Sequence, residues 1–77
     1  MAQPLSKAHH GLGKAIREIR TERGLSQEEL AVRSHLHRNY VGGIERGERN
    51  PSFTNLVKIA GALDVRLSEL IALGEHL

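Results

Sequence analysis

The stretch from Gln27 to Arg46 constrains the fold of this 77-residue chain more than any other part of the sequence. Ser26 stands directly before it and Glu29 follows three residues later, which is the spacing of a capping box at the start of a helix. Small and apolar residues then recur at helical spacing, the pattern breaks at His35-Leu36, and a second helical pattern of similar length follows. Two short helices joined by a tight turn are typical of a helix-turn-helix.

The second helix of such a motif lies in the major groove of DNA, and its first residues face the base edges. Arg38 and Asn39 stand at those positions in this chain. The fork of an arginine matches O6 and N7 of guanine, and the amide of an asparagine matches N6 and N7 of adenine. We therefore predict that Arg38 and Asn39 read bases, and for either residue the alternative is a contact with phosphate.

Two segments around the turn resemble the Xre family of phage-repressor-like regulators, namely SQEELA at 26–31 and IERGERNPS at 44–52. The likeness extends from about Leu12 to Leu73, and LHRNYV at 36–41 is also similar to controller proteins of restriction–modification systems. One residue departs from the family, because His35 occupies a turn position that is usually glycine and often needs a positive φ. Histidine tolerates the left-handed region better than most residues, so we expect the turn to form.

The resemblance implies an all-α fold, with five short helices in a compact bundle around a phage-repressor-like DNA-binding motif. It also implies a homodimer bound to double-stranded DNA, and a structural ion pair between Arg20 and Glu45. Contacts with the DNA backbone are expected from polar residues on or beside the motif: Ser26, Gln27, Tyr40, Arg46, Arg49, Asn50 and Ser52. For Tyr40 the alternative is a half-buried side chain that fills the bundle.

The rest of the chain divides into an arm and a domain. Residues 1–10 include Pro4 and show no apolar periodicity, so we expect a flexible N-terminal arm before a domain over residues 11–77. The first helix is predicted from Leu12 to about Arg23, with Gly24 as a left-handed terminator. Ser52 should cap a fourth helix, whose expected core residues are Phe53, Leu56, Ile59, Ala60 and Leu63.

The fifth helix, predicted from Leu67 to about Leu73, has more apolar residues than one small core needs: Leu67, Leu70, Ile71 and Leu73. Exposed apolar surface of this kind often marks an interface. We therefore predict a C-terminal dimerisation helix, with Leu70 or Ile71 near the two-fold axis. The alternative is that all four side chains close the core.

The pair Gly42-Gly43 is unusual inside a helix, where each glycine costs about 0.8–1 kcal/mol relative to alanine. Gly43 falls where many members of the resembled family carry a third base-contacting side chain. Two explanations stay open from the sequence. Either the glycines give clearance against the groove floor, or they are a tolerated loss.

Composition argues against several classes of protein. The chain has no cysteine and no apolar run near the ~20 residues that span a bilayer, so we expect a cytoplasmic protein without disulfides or membrane contact. Neither His9-His10 nor the pair His35 and His37 has a third ligand nearby, so no metal is expected, and no cofactor, small-molecule ligand or catalytic group is evident. Residues 1–58 hold ten of eleven Lys and Arg but six of nine acids, which suits a surface that faces phosphate.

The sequence thus predicts a transcriptional regulator, not an enzyme, that binds an inverted-repeat operator as a homodimer. A controller protein of a restriction–modification system is the narrower interpretation. One alternative is an antitoxin that binds a toxin protein and regulates its own promoter. Another is a protein-interaction module that has lost DNA binding, although Gln27, Arg38 and Asn39 argue against it.

Overall fold

The structure of the protein is a computed structural model and describes residues 3–77. Over this range the chain forms no strand and five α-helices: α1 (Lys7–Glu22), α2 (Gln27–Ser34), α3 (Arg38–Glu45), α4 (Phe53–Leu63) and α5 (Leu67–Glu75). The predicted all-α bundle is therefore confirmed. No helix in the described range is long and apolar enough to cross a membrane.

All five helices contribute to a single aliphatic core. Its fully or almost fully buried members include Ile16, Leu30, Val41, Ile44, Ile59, Leu63 and Leu70. Removing one such side chain from water contributes about 1.5–3 kcal/mol, so the core is the main stabilising term. Helix α1 packs along α5 and against α3, and α2 packs against both α3 and α4. The helix-turn-helix of α2 and α3 is thus held from behind by α1 and α4.

Side-chain caps determine where the helix-turn-helix begins. Ser26 Oγ accepts the Glu29 N–H at 3.0 Å, and Glu29 Oε1 accepts the Ser26 N–H at 2.9 Å, so the predicted capping box is present. The hydrogen bond from the Ser26 backbone is the main reason why the pKa of Glu29 lies below its usual value. The stability that this hydrogen bond contributes is present near neutral pH. It is lost as the pH falls and the Glu29 carboxylate of the folded protein becomes protonated.

Left-handed residues lie at the C-terminal ends of α2, α3 and α4. His35 has φ 57° and ψ 40°, as the sequence predicts for the turn position, and Asp64 has φ 56° at the end of α4. Gly47 follows α3 with φ 75°. These residues reverse the chain within a few positions, which keeps the connections short and the bundle small.

The predicted boundary of the N-terminal arm is wrong. Helix α1 begins at Lys7, so residues 7–10 are helical, while residues 1 and 2 lie outside the described range. Ser6 Oγ accepts the His9 N–H at 3.1 Å and caps the helix. The apolar pattern does not reveal this first part of α1, because Gly11 rather than a large side chain packs against the backbone of α5.

Two predictions about apolar side chains are also wrong. Phe53, expected in the core, is 72% exposed, and Leu56 is only partly buried. Leu70, expected near a dimer axis, is completely buried, whereas Ile71 is 38% exposed. The reason is that α1 packs along α5 and covers its Leu70 face, while the Phe53 face of α4 has no covering helix in residues 3–77. The other two members of the predicted interface, Leu67 and Leu73, are partly buried against the core.

Candidate nucleic-acid interface

A buried ion pair joins α1 to the helix-turn-helix. Arg20 Nε donates to Glu45 Oε2 at 2.6 Å and Arg20 Nη2 donates to Glu45 Oε1 at 3.0 Å, so the pair that the resemblance implies is present and bidentate. The two side chains are 13% and 3% exposed. Arg20 Nη1 also donates to the carbonyl oxygen of Leu25, which fixes the connection between α1 and α2. Bidentate pairs of this kind fix the relative geometry of the two side chains in addition to stabilising the fold.

Gln27 belongs to the same network, which the sequence reasoning missed. Its Nε2 donates to Glu45 Oε1 at 2.9 Å, so a residue predicted to bind the DNA backbone has an intramolecular partner. The side chain is only partly exposed at the start of α2. Its contact with DNA stays a prediction, and the structure adds a second role, which is to hold α2 against α3.

The first turn of α3 presents the two predicted base readers to solvent. Arg38 and Asn39 are exposed, and neither side chain forms a hydrogen bond within residues 3–77. His37 Nδ1 accepts the Asn39 N–H at 3.0 Å, so histidine caps this helix although serine or threonine would be the usual choice. The hydrogen-bonding capacity of both side chains is therefore free for a ligand.

Tyr40 connects this turn to α4. The ring is partly buried against the core, and the hydroxyl oxygen accepts a hydrogen bond from Asn55 Nδ2 at 3.1 Å. Ser52 Oγ accepts the Asn55 N–H at 3.1 Å and caps α4 as predicted. These contacts favour the interpretation of Tyr40 as a side chain that fills the bundle. Its own hydroxyl proton is still available to donate to phosphate.

The two glycines of α3 make room for arginine side chains of the protein itself. A Cβ at Gly43 would lie 2.7 Å from Cγ of Arg49, and a Cβ at Gly42 would lie 3.1 Å from Nη1 of Arg46. Neither explanation drawn from the sequence included this packing. Arg46 Nε also donates to Glu48 Oε1 at 3.1 Å in an exposed pair. The narrow face of α3 thus lets the side chains of Arg46 and Arg49 pack against the helix.

Comparison with known proteins identifies the family. Residues 16–70 match the family described as Helix-turn-helix, which is more than half of the chain. The chain belongs to this Xre-type family. Family members are DNA-binding regulators rather than enzymes, which agrees with the function predicted from the sequence.

Individual relatives include restriction–modification proteins and a phage repressor. The Xre-type chain is 45% identical over 60 residues to Control protein C.BamHI of Bacillus amyloliquefaciens, covering 77% of this chain and 74% of that protein. It is 42% identical over 60 residues to the Immunity repressor protein of Bacillus phage phi105, covering 78% of this chain but only 42% of the repressor. The restriction-modification controller protein C.AhdI from Aeromonas hydrophila matches in structure with a TM-score of 0.80 and 53% identity, over 80% of this chain and 94% of that one. These relatives give no support to the antitoxin alternative.

Donor groups lie on and beside α3 of this Xre-type domain, including Arg38 and Asn39 on its first turn and Arg46 and Arg49 against its glycines. The N-terminal ends of α2, α3 and α4 add unpaired N–H groups and partial positive charge, which attract anions such as phosphate. In the part of the chain that the structure describes, no group of three His, Cys, Asp or Glu side chains could hold a metal ion. The exposed side chains of Arg38 and Asn39 and the helix ends together are suited to bind an anionic ligand.

The ion pair makes a prediction about stability. Replacing Arg20 by methionine leaves the Glu45 carboxylate buried with Gln27 as its only remaining partner, and stranded charges of this kind cost about 3–5 kcal/mol. Arg46→Met is the matched control, since its pair with Glu48 is exposed and should contribute about 0–1 kcal/mol. Urea unfolding measures the free energy of unfolding of both variants. An equal decrease in the two variants would contradict the structural role assigned to Arg20.

Proposed function

We propose that this Xre-type domain is a homodimeric transcriptional regulator that binds an inverted-repeat operator, as a controller protein of a restriction–modification system. The observation that carries the proposal is the pair of exposed, unbonded side chains of Arg38 and Asn39 at the start of a helix flanked by donors. The names of two relatives, C.BamHI and C.AhdI, support the controller interpretation. Such a function requires the protein to act in the cytoplasm, where the DNA lies.

In this proposal the polar residues divide into two roles. Arg38 and Asn39 read base edges in the major groove, where each base pair presents a distinct pattern of donors and acceptors. The remaining residues position the protein on the sugar-phosphate backbone: Ser26, Gln27, Tyr40, Arg46, Arg49, Asn50 and Ser52. Because the oxygens of Ser26 and Ser52 already accept cap hydrogen bonds, these serines approach phosphate as hydroxyl donors or through nearby backbone N–H groups.

The base-reading role is tested by Arg38→Ala on duplexes selected from a random library. Loss of a bidentate contact with guanine should weaken binding by about 1–3 kcal/mol per half-site and relax the preference at one base pair. Arg17→Ala removes the same charge from the exposed face of α1 and should leave the preference intact. Competition titrations against duplexes substituted at each position measure both effects. An unchanged preference in Arg38→Ala would refute base reading by this residue.

The dimer surface is revised from the one predicted on α5. Phe53, Val57 and Ile71 are 72%, 47% and 38% exposed, and the first two lie one turn apart on α4. Leu56 of α4 and Ile71 of α5 line one groove, so apolar residues of the two helices lie side by side. We infer that a second copy covers the patch formed by Phe53, Val57 and Ile71, and not the part of the groove that His9 and Asn50 line.

Sedimentation of charged variants tests this surface. The wild-type protein should sediment as a dimer at micromolar concentration, and Phe53→Asp should sediment as a folded monomer, because a closed two-fold contact places the added charge on both sides. The control is Val32→Asp on α2, where the native side chain is 69% exposed outside the patch. A monomeric wild type, or a Phe53→Asp protein that stays dimeric, would rule out the patch. Leu70→Asp is unsuitable, because Leu70 is completely buried and its replacement should unfold the domain.

A further inference from the structure

The chain before α1 is attached to the loop that connects α3 and α4. Leu5 N–H donates to the carbonyl oxygen of Gly47 at 2.8 Å. A Cβ at Gly47 would lie 3.0 Å from Cα of His10 and 3.1 Å from Cβ of Pro4, so the loop approaches this segment too closely for a larger residue. Gly47 also has φ 75°, which favours glycine independently. The loop and the N-terminal segment therefore hold each other in place.

A chain of polar contacts extends from the same segment to Asn50. Ser6 Oγ lies 2.6 Å from His9 Nδ1, and His9 Nε2 lies 3.2 Å from Asn50 Oδ1. With the ring proton on Nε2, His9 donates to Asn50 Oδ1, and Nδ1 accepts the hydroxyl proton of Ser6, whose Oγ accepts the His9 N–H. This arrangement fixes which end of the Asn50 amide points toward the protein.

The orientation of that amide matters for an anionic ligand. With Oδ1 bound to His9, both N–H donors of Asn50 Nδ2 face away from the imidazole, and Asn50 itself is exposed. A phosphate oxygen only accepts hydrogen bonds, so it is attracted by the Nδ2 end and repelled by the Oδ1 end. An unrestrained amide would spend part of its time in the wrong orientation.

We propose that Pro4, Leu5, Ser6 and His9 form an N-terminal clip that orients Asn50 to donate to a DNA phosphate. His9 is thus a positioning residue, and the inference rests on the proposed function, in which Asn50 contacts the DNA backbone. The clip lies before residue 16, where the match to the Helix-turn-helix family begins. It is therefore a feature of this chain that the family match does not include.

The test is a double-mutant cycle on DNA binding. His9→Ala, Asn50→Ala and the double variant are titrated with a fluorescent duplex of mixed sequence, about two helical turns long, because a phosphate contact does not depend on sequence. His9→Ala should weaken binding about three- to tenfold, the amount expected from one hydrogen bond. In the Asn50→Ala background the same substitution should have almost no effect. His9→Gln retains a side-chain N–H donor and should restore most of the affinity.

Controls separate positioning from folding and from the proposed function. His10→Ala changes the neighbouring exposed histidine and should bind like the wild type. Thermal unfolding of each variant is followed by circular dichroism, and His9→Ala should remain folded at the temperature of the titration. If the wild type binds neither this duplex nor those selected from a random library, the proposed function fails. If the wild type binds and His9→Ala binds equally well, or loses the same factor with and without Asn50, the clip is overturned. If His9→Ala unfolds, His9→Gln decides, and a His9→Gln protein as weak as Asn50→Ala would also overturn it.

Discussion

The carboxylate of Glu45 is the point on which the arrangement of the DNA-binding motif depends. It accepts hydrogen bonds from Arg20 of α1 and from Gln27 of α2, while belonging to α3 itself, so one buried group joins three helices. A buried charge is costly unless its partners are complete, and here both oxygens are bonded. The geometry of this network therefore specifies a single orientation of α3 relative to α1 and α2. The aliphatic core supplies most of the stability, but apolar contacts are non-directional and do not specify the orientation of α3 in this way.

That orientation determines which groups are left for a ligand. The C-terminal end of α3 is held inside by Glu45, so its first turn, with Arg38 and Asn39, faces outward. Gly42 and Gly43 keep the helix narrow, and arginine side chains from its end and from the following loop lie along it. The same loop is restrained on its other side by Leu5 and His9. Along α3 and the loop that follows it, residues with intramolecular contacts thus alternate with residues whose side chains are exposed to solvent.

The sequence predicts best what depends on neighbouring residues. The capping box at Ser26 and the cap at Ser52 follow from local residue types and spacing, and the left-handed turn at His35 is implied by the family resemblance; the structure contains all three. Burial is predicted less well, because it depends on which helix covers which face. Leu70 is buried by α1 and Phe53 is left exposed, and nothing in the apolar periodicity of α4 or α5 distinguishes them. The motif is enough to name the residues of the candidate site. The side-chain hydrogen bonds of Gln27 to Glu45 and of His9 to Asn50 join positions far apart in the chain, so no local sequence pattern predicts them.

The central claim is that DNA binds at the surface formed by the first turns of α2 and α3 and the loop before α4. It is tested most directly by following the backbone amide resonances of the protein during titration with a duplex selected from a random library. The largest changes should fall at residues 26–28, 37–40, 48–50, 52 and 53. The rival surface is the exposed face of α1, which carries Lys14 and Arg17 beside acidic residues. Changes concentrated on that face, with the first turn of α3 unaffected, would contradict the account.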